Sequence, residues 1–231
     1  NYLYIFRGFY QKGNSYLFAG DLDLALKAFF KSSEAAIKDK NVVGEGFAYM
    51  AIADVYSEMG NAKNASIYYT KAIDLLRQTD DTISLASALF NAGDEAFNNK
   101  DYDTSLAYFE ESGALFLEED YKPGLAYNLG NIGMVYAEQG KHELALKNIN
   151  EALDILEDFE DYYAISEYLT YMSDIYLKRN DWQTALNYAI RSLNLAKKHG
   201  LKKQLSESNL KLSELYEHES QFPLALTHYK D

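Results

Sequence analysis

Apolar residues recur at three- and four-residue spacing along most of the chain, which is the pattern of amphipathic helices. The run of Leu144, Leu146, Ile149, Leu153 and Leu156 is one example. Short breaks rich in glycine, asparagine and aspartate interrupt this pattern near residues 20, 60, 100, 140, 180 and 220, so the period is 40 residues. Each period holds two apolar runs joined at a break. The pattern therefore predicts six helical hairpins.

The expected helices have ordinary lengths for a globular protein. They cover residues 3 to 19, 22 to 38, 44 to 59, 62 to 78, 82 to 99, 102 to 118, 122 to 139, 142 to 158, 162 to 179, 182 to 199, 202 to 219 and 222 onward. The predicted fold is all-α, an α-α superhelix (solenoid) of six stacked hairpins that occupies residues 1–231 as one unit.

Two positions relative to each break are nearly constant. A tyrosine stands four residues before five of the six breaks, and a small residue stands five residues after every break. The small residues are Ala25, Ala65, Ser105, Ala145, Ala185 and Ala225. We expect the small residues to lie where two helices cross closely, and the tyrosines to fill the core.

These positions resemble the tetratricopeptide repeat (TPR) family. The segment from Asn131 to Tyr136, followed by Gly140 and Ala145, has the small residue, tyrosine, turn glycine and alanine of that family at matching spacing. The 40-residue period is similar to that of spindle-orientation adaptors, kinesin light chains and the helical sensor regions of bacterial signalling proteins. The resemblance implies a protein-binding solenoid whose inner wall is made by the first helix of each hairpin.

Composition restricts the functions of such a solenoid. With 22 basic and 35 acidic residues the net charge is −13, which opposes binding to nucleic acid or to an anionic membrane and favours a basic partner. The chain has no cysteine, its four histidines lack the spacing of metal ligands, and no phosphate-binding loop occurs. We therefore predict a protein that is not an enzyme and that needs neither a metal nor a cofactor.

The helical register places 36 positions on the proposed inner wall. Nine of these hold acids and three hold bases, a net charge of −6, whereas the other 195 residues carry −7. Aromatic and amide side chains are interleaved with the acids. We expect a basic or amphipathic peptide or protein to bind there, and the predicted partner-binding residues are Phe47, Asp54, Phe90, Asn91, Asp94, Tyr127, Asn131, Tyr171 and Asp174.

Other functions fit the same pattern. Alternatively, the chain is the non-catalytic sensor or dimerisation region of a larger signalling enzyme, such as a histidine kinase or a nucleotide cyclase. A homodimer is one form of assembly that this alternative allows. A peptide-responsive bacterial regulator or phosphatase would need an additional N-terminal effector domain. The chain begins at Asn1 without a methionine, and we expect it to be a piece of a longer protein. A cytoplasmic location is expected.

Overall fold

The six breaks in the sequence are the hairpin turns of the protein. The computed structural model describes residues 2–230, and one residue at each break has a positive φ. These residues are Gly20, Gly60, Lys100, Gly140, Asn180 and Ser220, with φ between 59° and 78°. Glycine adopts this left-handed conformation without strain. A residue in the left-handed conformation commonly ends a helix. The predicted turns are therefore confirmed, including the three that lack glycine.

All regular structure in residues 2–230 is α-helical, which confirms the predicted fold class. The chain divides into two compact units, residues 1–121 and residues 122–231. Unit 1 contains three hairpins, formed by α1 (Tyr2–Phe18), α2 (Leu22–Asp39), α3 (Val42–Glu58), α4 (Ala62–Leu76), α5 (Thr82–Asn98) and α6 (Tyr102–Glu118). Unit 2 contains α7 (Lys122–Glu138), α8 (His142–Asp158), α9 (Tyr162–Lys178), α10 (Trp182–His199), α11 (Lys202–His218) and α12 (Phe222–Lys230). That all six hairpins form one solenoid stays a prediction.

Within each unit the first helices of neighbouring hairpins lie side by side. In unit 1, α3 contacts both α1 and α5, and in unit 2, α9 contacts both α7 and α11. Across the described residues, the backbones of the second helices of neighbouring hairpins do not meet within either unit. The first helices of each unit therefore form its inner side, as the helical register requires.

Small residues at fixed positions let the two helices of a hairpin approach closely. All six small residues five positions after a turn are buried, and Ala25, Ala65, Ala145 and Ala185 have no exposed surface. On the first helix, Gly93 leaves room for the ring of Phe109, because a Cβ atom there would lie 2.7 Å from that ring. Helix crossings this close tolerate little added volume. They therefore fix the position of the first helix against the second helix of its own hairpin.

Candidate functional site

The inner side of unit 1 contains a cavity of about 740 Å³. Three first helices supply most of its lining, which combines carboxylates and neutral polar groups with an apolar rim. Its lining residues are Leu17, Phe18, Gly20, Leu22, Asp54, Ser57, Glu58, Tyr69, Asn91, Asp94, Glu95 and Asn98. Four of these twelve residues are acidic and none is basic. We call this the acidic cavity.

Asp54 is held in the acidic cavity by neutral hydrogen-bond donors. The hydroxyl of Tyr69 donates to its Oδ1 at 2.6 Å, and Asn91 also hydrogen-bonds its side chain. Burial raises the pKa of the Asp54 carboxyl to about 6, and the nearby charge of Glu58 acts in the same direction. Burial and the adjacent carboxylate also raise the pKa of the Tyr69 hydroxyl, so Tyr69 keeps its proton and serves as a donor.

Glu95 is the most deeply buried acid of the acidic cavity, with 7% of its surface exposed. Its two carboxylate oxygens have different donors. The hydroxyl of Ser57 donates to Oε2, and the side-chain amide of Asn99 donates to Oε1 at 2.8 Å. Both donors are neutral, so the negative charge of Glu95 is solvated by hydrogen bonds but is not cancelled by them.

A cavity of about 320 Å³ in unit 2 shares with the acidic cavity the repeat positions two, six and nine residues before a turn. Its lining includes the predicted residue Tyr171 and five acids, Glu138, Glu167, Asp174, Glu207 and Glu214. Here a lysine is part of the lining. The ammonium of Lys211 lies 2.7 Å from Oδ1 of Asp174 and also bonds the carboxylate of Glu214. The acids of this second cavity are therefore partly neutralised by the protein itself.

The other predicted site residues take part in packing. Phe47 packs against the buried core around Leu76 and Leu89, and the ring of Phe90 lies 5.5 Å from that of Phe109. The register thus brings Asp54, Asn91 and Asp94 together in the acidic cavity, whereas the two phenylalanines are half-buried and are not among the residues that line it.

In unit 2 the predicted residues Tyr127 and Asn131 are joined by the side chain of Tyr168. The hydroxyl of Tyr168 donates to the backbone carbonyl of Tyr127 at 3.2 Å and to Oδ1 of Asn131 at 3.0 Å. The hydroxyl of Tyr127 donates to the carboxylate of Asp161. Asn131 is buried, with 9% of its surface exposed.

Two polar lining residues of the acidic cavity, Tyr69 and Glu95, lie outside the inner wall that the helical register predicts. Tyr69 stands nine residues after a turn, where the pattern indicates only core packing. Glu95 stands five residues before a turn, where four of the other five repeats have Val55, Val135, Ile175 and Leu215. An acid at a position that is otherwise apolar is the sequence signal that identifies Glu95.

In the described part of the chain, the acidic groups are not arranged as a metal site. Within residues 2–230, no group of three or more histidine, cysteine, aspartate or glutamate side chains is placed to hold a metal ion. Among the same residues, none of the helices combines the length and the apolar character needed to cross a bilayer.

Comparisons with known proteins agree with the repeat pattern. Tetratricopeptide repeat models match residues 48–78 and residues 84–158. Response regulator aspartate phosphatase J of Bacillus subtilis (strain 168) is 21% identical over 130 residues. That match covers 56% of this chain and 33% of the relative, so it spans about a third of the relative's length.

Solved structures share the fold at low sequence identity. The apo form of RapI matches with a TM-score of 0.79 and 14% identity, over 97% of this chain and 95% of that chain. A Rap protein in complex with competence and sporulation factor matches with a TM-score of 0.74 and 16% identity, over 96% of this chain and 60% of that chain. The turns, the packing and these matches lead to one conclusion: the chain is a repeat protein of the tetratricopeptide type.

Proposed function

We propose that this protein is an interaction module and that its acidic cavity binds a lysine or arginine side chain of a basic partner. One observation carries the proposal: four carboxylates line a single cavity whose lining contains no basic residue. The hydrogen-bond donors of Asp54 and Glu95 are neutral, so these two carboxylates give the cavity a negative potential. A cationic side chain that enters would gain charge-assisted hydrogen bonds.

Unit 2 supports this choice of ligand. Lys211 reaches Asp174 at the same repeat positions at which Asn91 reaches Asp54 in unit 1. A lysine ammonium therefore fits against an aspartate in this geometry. We propose that the partner supplies to unit 1 the cation that Lys211 supplies within unit 2.

The rim of the acidic cavity favours a partner with apolar residues next to its basic one. Leu17 and Leu22 line the cavity, and Phe18 is 98% exposed. Burying such a ring on binding would add apolar contact to the electrostatic attraction. The proposed partner is therefore an amphipathic basic segment of a protein, and a cytoplasmic location is part of the proposal.

The relatives are consistent with partner binding and leave the ligand open. One of the matching Rap structures is a complex with competence and sporulation factor. The Bacillus subtilis relative is named a phosphatase, and its match spans about a third of that relative. We propose binding without catalysis for the present chain.

A calorimetric titration tests the proposed function. The probe is a synthetic amphipathic peptide with lysine at every third or fourth position, compared with the same peptide carrying glutamine at those positions. We expect only the lysine peptide to bind, with an affinity that falls as salt rises, because exposed charges are screened within about 8 Å at physiological ionic strength. Equal binding of both peptides would show that charge does not select the partner.

Matched variants separate the cavity from net charge. Asp54→Asn combined with Asp94→Asn removes two charges from the acidic cavity, and we expect the affinity for the lysine peptide to fall about tenfold or more. Glu34→Gln combined with Glu110→Gln removes two charges from exposed positions on α2 and α6. We expect this pair to change the affinity by less than about threefold. Equal losses would assign the binding to net charge alone.

A further inference from the structure

The junction between α8 and α9 differs from every other junction between hairpins. Residues 159–163 contain three aromatic residues, Phe159, Tyr162 and Tyr163, on either side of Glu160 and Asp161. The corresponding segments read Asp-Lys-Asn-Val-Val at 39–43, Thr-Asp-Asp-Thr-Ile at 79–83, Glu-Asp-Tyr-Lys-Pro at 119–123 and His-Gly-Leu-Lys-Lys at 199–203. The fold forms these junctions with no more than one aromatic residue, so it does not require three.

These aromatic residues line a pocket of about 450 Å³ in unit 2, which we call the aromatic pocket. Its lining residues are Pro123, Tyr127, Leu156, Phe159, Glu160, Asp161, Tyr162, Tyr163, His199 and Leu201. Phe159 and Tyr163 are 47% and 41% exposed, so large parts of both residues face solvent. No lysine or arginine is among the lining residues.

Contacts within the protein hold two of the rings in place. The hydroxyl of Tyr127 donates to Asp161, and the ring of Tyr162 stacks on that of His199 with 3.7 Å between centroids. Tyr162 also hydrogen-bonds Glu160. A phenol that donates to a carboxylate has a more electron-rich ring, which strengthens the attraction of the ring face for a cation.

We propose that the aromatic pocket binds an alkylated ammonium group, such as a quaternary ammonium. The aromatic rings would make cation–π contacts with it, and the nearby carboxylates would attract its charge. Lys203 illustrates the attraction, because its ammonium lies 6.0 Å from the centroid of the Tyr163 ring. This inference is independent of the function proposed for the acidic cavity, which lies in unit 1.

The hydrogen bonds of Asp161 favour an alkylated cation over an unmodified one. Both oxygens of Asp161 are engaged, one by Tyr127 and the other by the backbone N–H of Ala164 at 3.2 Å. An unmodified ammonium is strongly hydrated and loses its water on entry, so it needs acceptors in exchange. A fully alkylated ammonium has no N–H groups and therefore needs no hydrogen-bond acceptors. Aromatic faces and the nearby negative charge still attract it.

Ligand-detected NMR titrations of the intact chain test this proposal with three probes of similar size. Choline carries the quaternary ammonium, 3,3-dimethylbutanol is its neutral isostere, and ethanolamine is its unalkylated analogue. We expect choline to bind roughly tenfold more tightly than either of the others. Equal binding of the neutral isostere, or no saturable binding of choline, would overturn the proposal.

Variants then place the binding in the aromatic pocket. Phe159→Leu and Tyr163→Leu each remove a ring face while keeping an apolar side chain, and we expect each to weaken choline binding roughly threefold to tenfold. Phe159→Tyr keeps the ring and should keep the affinity. Phe222→Leu, at a 61% exposed position on α12, is the matched control and should change nothing. Thermal unfolding of each variant confirms that it is folded, and undiminished binding in both leucine variants would contradict the assignment.

A second pair of probes identifies where the group comes from. N-acetyl-trimethyllysine amide is compared with N-acetyl-lysine amide and with choline. Tighter binding of the trimethyllysine compound than of choline would assign the pocket to a methylated protein side chain. The reverse order would assign it to a small molecule, and both orders support recognition of an alkylated ammonium.

Discussion

The inner sides of the two units use the same pair of repeat positions to place different partners beside an aspartate. Asp54 and Asp174 both stand six residues before a turn, and each contacts a residue 37 positions further along the chain. In unit 1 that residue is Asn91, and in unit 2 it is Lys211. The amide leaves the charge of its aspartate uncancelled, whereas the lysine neutralises it. One position, nine residues before a turn, thus decides whether the aspartate of the preceding hairpin is paired with a cation or with a neutral amide.

The overall charge of the units follows the same division. Residues 1–121 contain 10 basic and 19 acidic residues, a net charge of −9, and residues 122–231 contain 12 basic and 16 acidic residues, a net charge of −4. The positions of the proposed inner wall do not share this division: they hold one base and three acids in unit 1, and two bases and six acids in unit 2. In unit 2, Lys178 pairs with Glu138 at 3.7 Å, so another acid of the wall is partly compensated.

Packing differs between the units as well. In unit 1, Met50 and Ala88 belong to one core cluster. The equivalent positions in unit 2 hold Gly130 and Tyr168, so the large and the small residue are exchanged. A Cβ atom on Gly130 would lie 2.1 Å from the Tyr168 ring. The two units therefore reach dense packing by opposite distributions of volume.

Gly130→Met should have the largest effect on stability, about 3 kcal/mol or more of unfolding free energy, because the added side chain overlaps the ring of Tyr168. Combining Gly130→Met with Tyr168→Ala gives unit 2 the same pair of residues, methionine and alanine, that unit 1 has at Met50 and Ala88. The double variant should then be more stable than the sum of the two single effects predicts. Chemical denaturation of the four proteins measures this, and strictly additive effects would show that the two residues do not compensate each other.

Asn91→Lys tests the electrostatic comparison directly. The new lysine would supply unit 1 with the internal cation that Lys211 gives unit 2, and the affinity for the lysine peptide should fall about tenfold to a hundredfold, or about 1.4–2.7 kcal/mol. Asn91→Gln keeps a neutral amide and is the control, with less than a threefold change expected. The reverse change, Lys211→Asn, should create a second binding site. Undiminished binding by Asn91→Lys would exclude the acidic cavity as the binding site.

Asp54→Asn should change the pH dependence of stability. The folded pKa of about 6 lies above the ordinary value of about 3.9 for an aspartate, so the contribution of Asp54 to stability is complete below about pH 4 and is lost as the pH rises through 6. The variant should therefore be more stable than the parent by about 1–2 kcal/mol at pH 8, and the difference should disappear near pH 4.

Thermal unfolding at several pH values measures this difference, with Glu110→Gln as an exposed control. Ionisation of Asp54 should also make the lysine peptide bind more tightly as the pH rises from 5 to 7, since the peptide itself does not titrate there. A stability difference that is independent of pH would mean that Asp54 titrates normally.

Glu143→Ala should have the smallest effect. Its side chain is 83% exposed and lies 3.0 Å from the guanidinium of Arg179, an ion pair of the kind that contributes little in water. We expect a change below about 0.5 kcal/mol in the free energy of unfolding. A larger loss would show that pairs across the junction between hairpins matter more than their exposure indicates.

The sequence predicts the helices and turns because each depends on local chemistry repeated six times. It also predicts that Asp54, Asn91 and Asp94 face one another, because helical register alone determines the face on which a residue lies. It places Lys211 and Asp174 on that same face, but it does not predict the ion pair between them, since that contact depends on the offset between two hairpins. Tyr69 is missed for a related reason: a tyrosine in a core position still carries a hydroxyl, and only the packed structure shows that this hydroxyl reaches Asp54.

The left-handed turns have a consequence for how the repeat can evolve. Three of the six turn residues are Lys100, Asn180 and Ser220, so the turn survives without glycine and the 40-residue spacing does not depend on one residue type. A mutation at a turn can therefore lower stability without changing the length of the hairpin. Gain or loss of a whole 40-residue hairpin would likewise leave its neighbours in phase, whereas an insertion of one residue within a helix would rotate every later side chain on that helix by about 100°. Copying of entire hairpins, followed by point changes nine residues before a turn, is a route by which such a chain can acquire a new binding preference while keeping its fold.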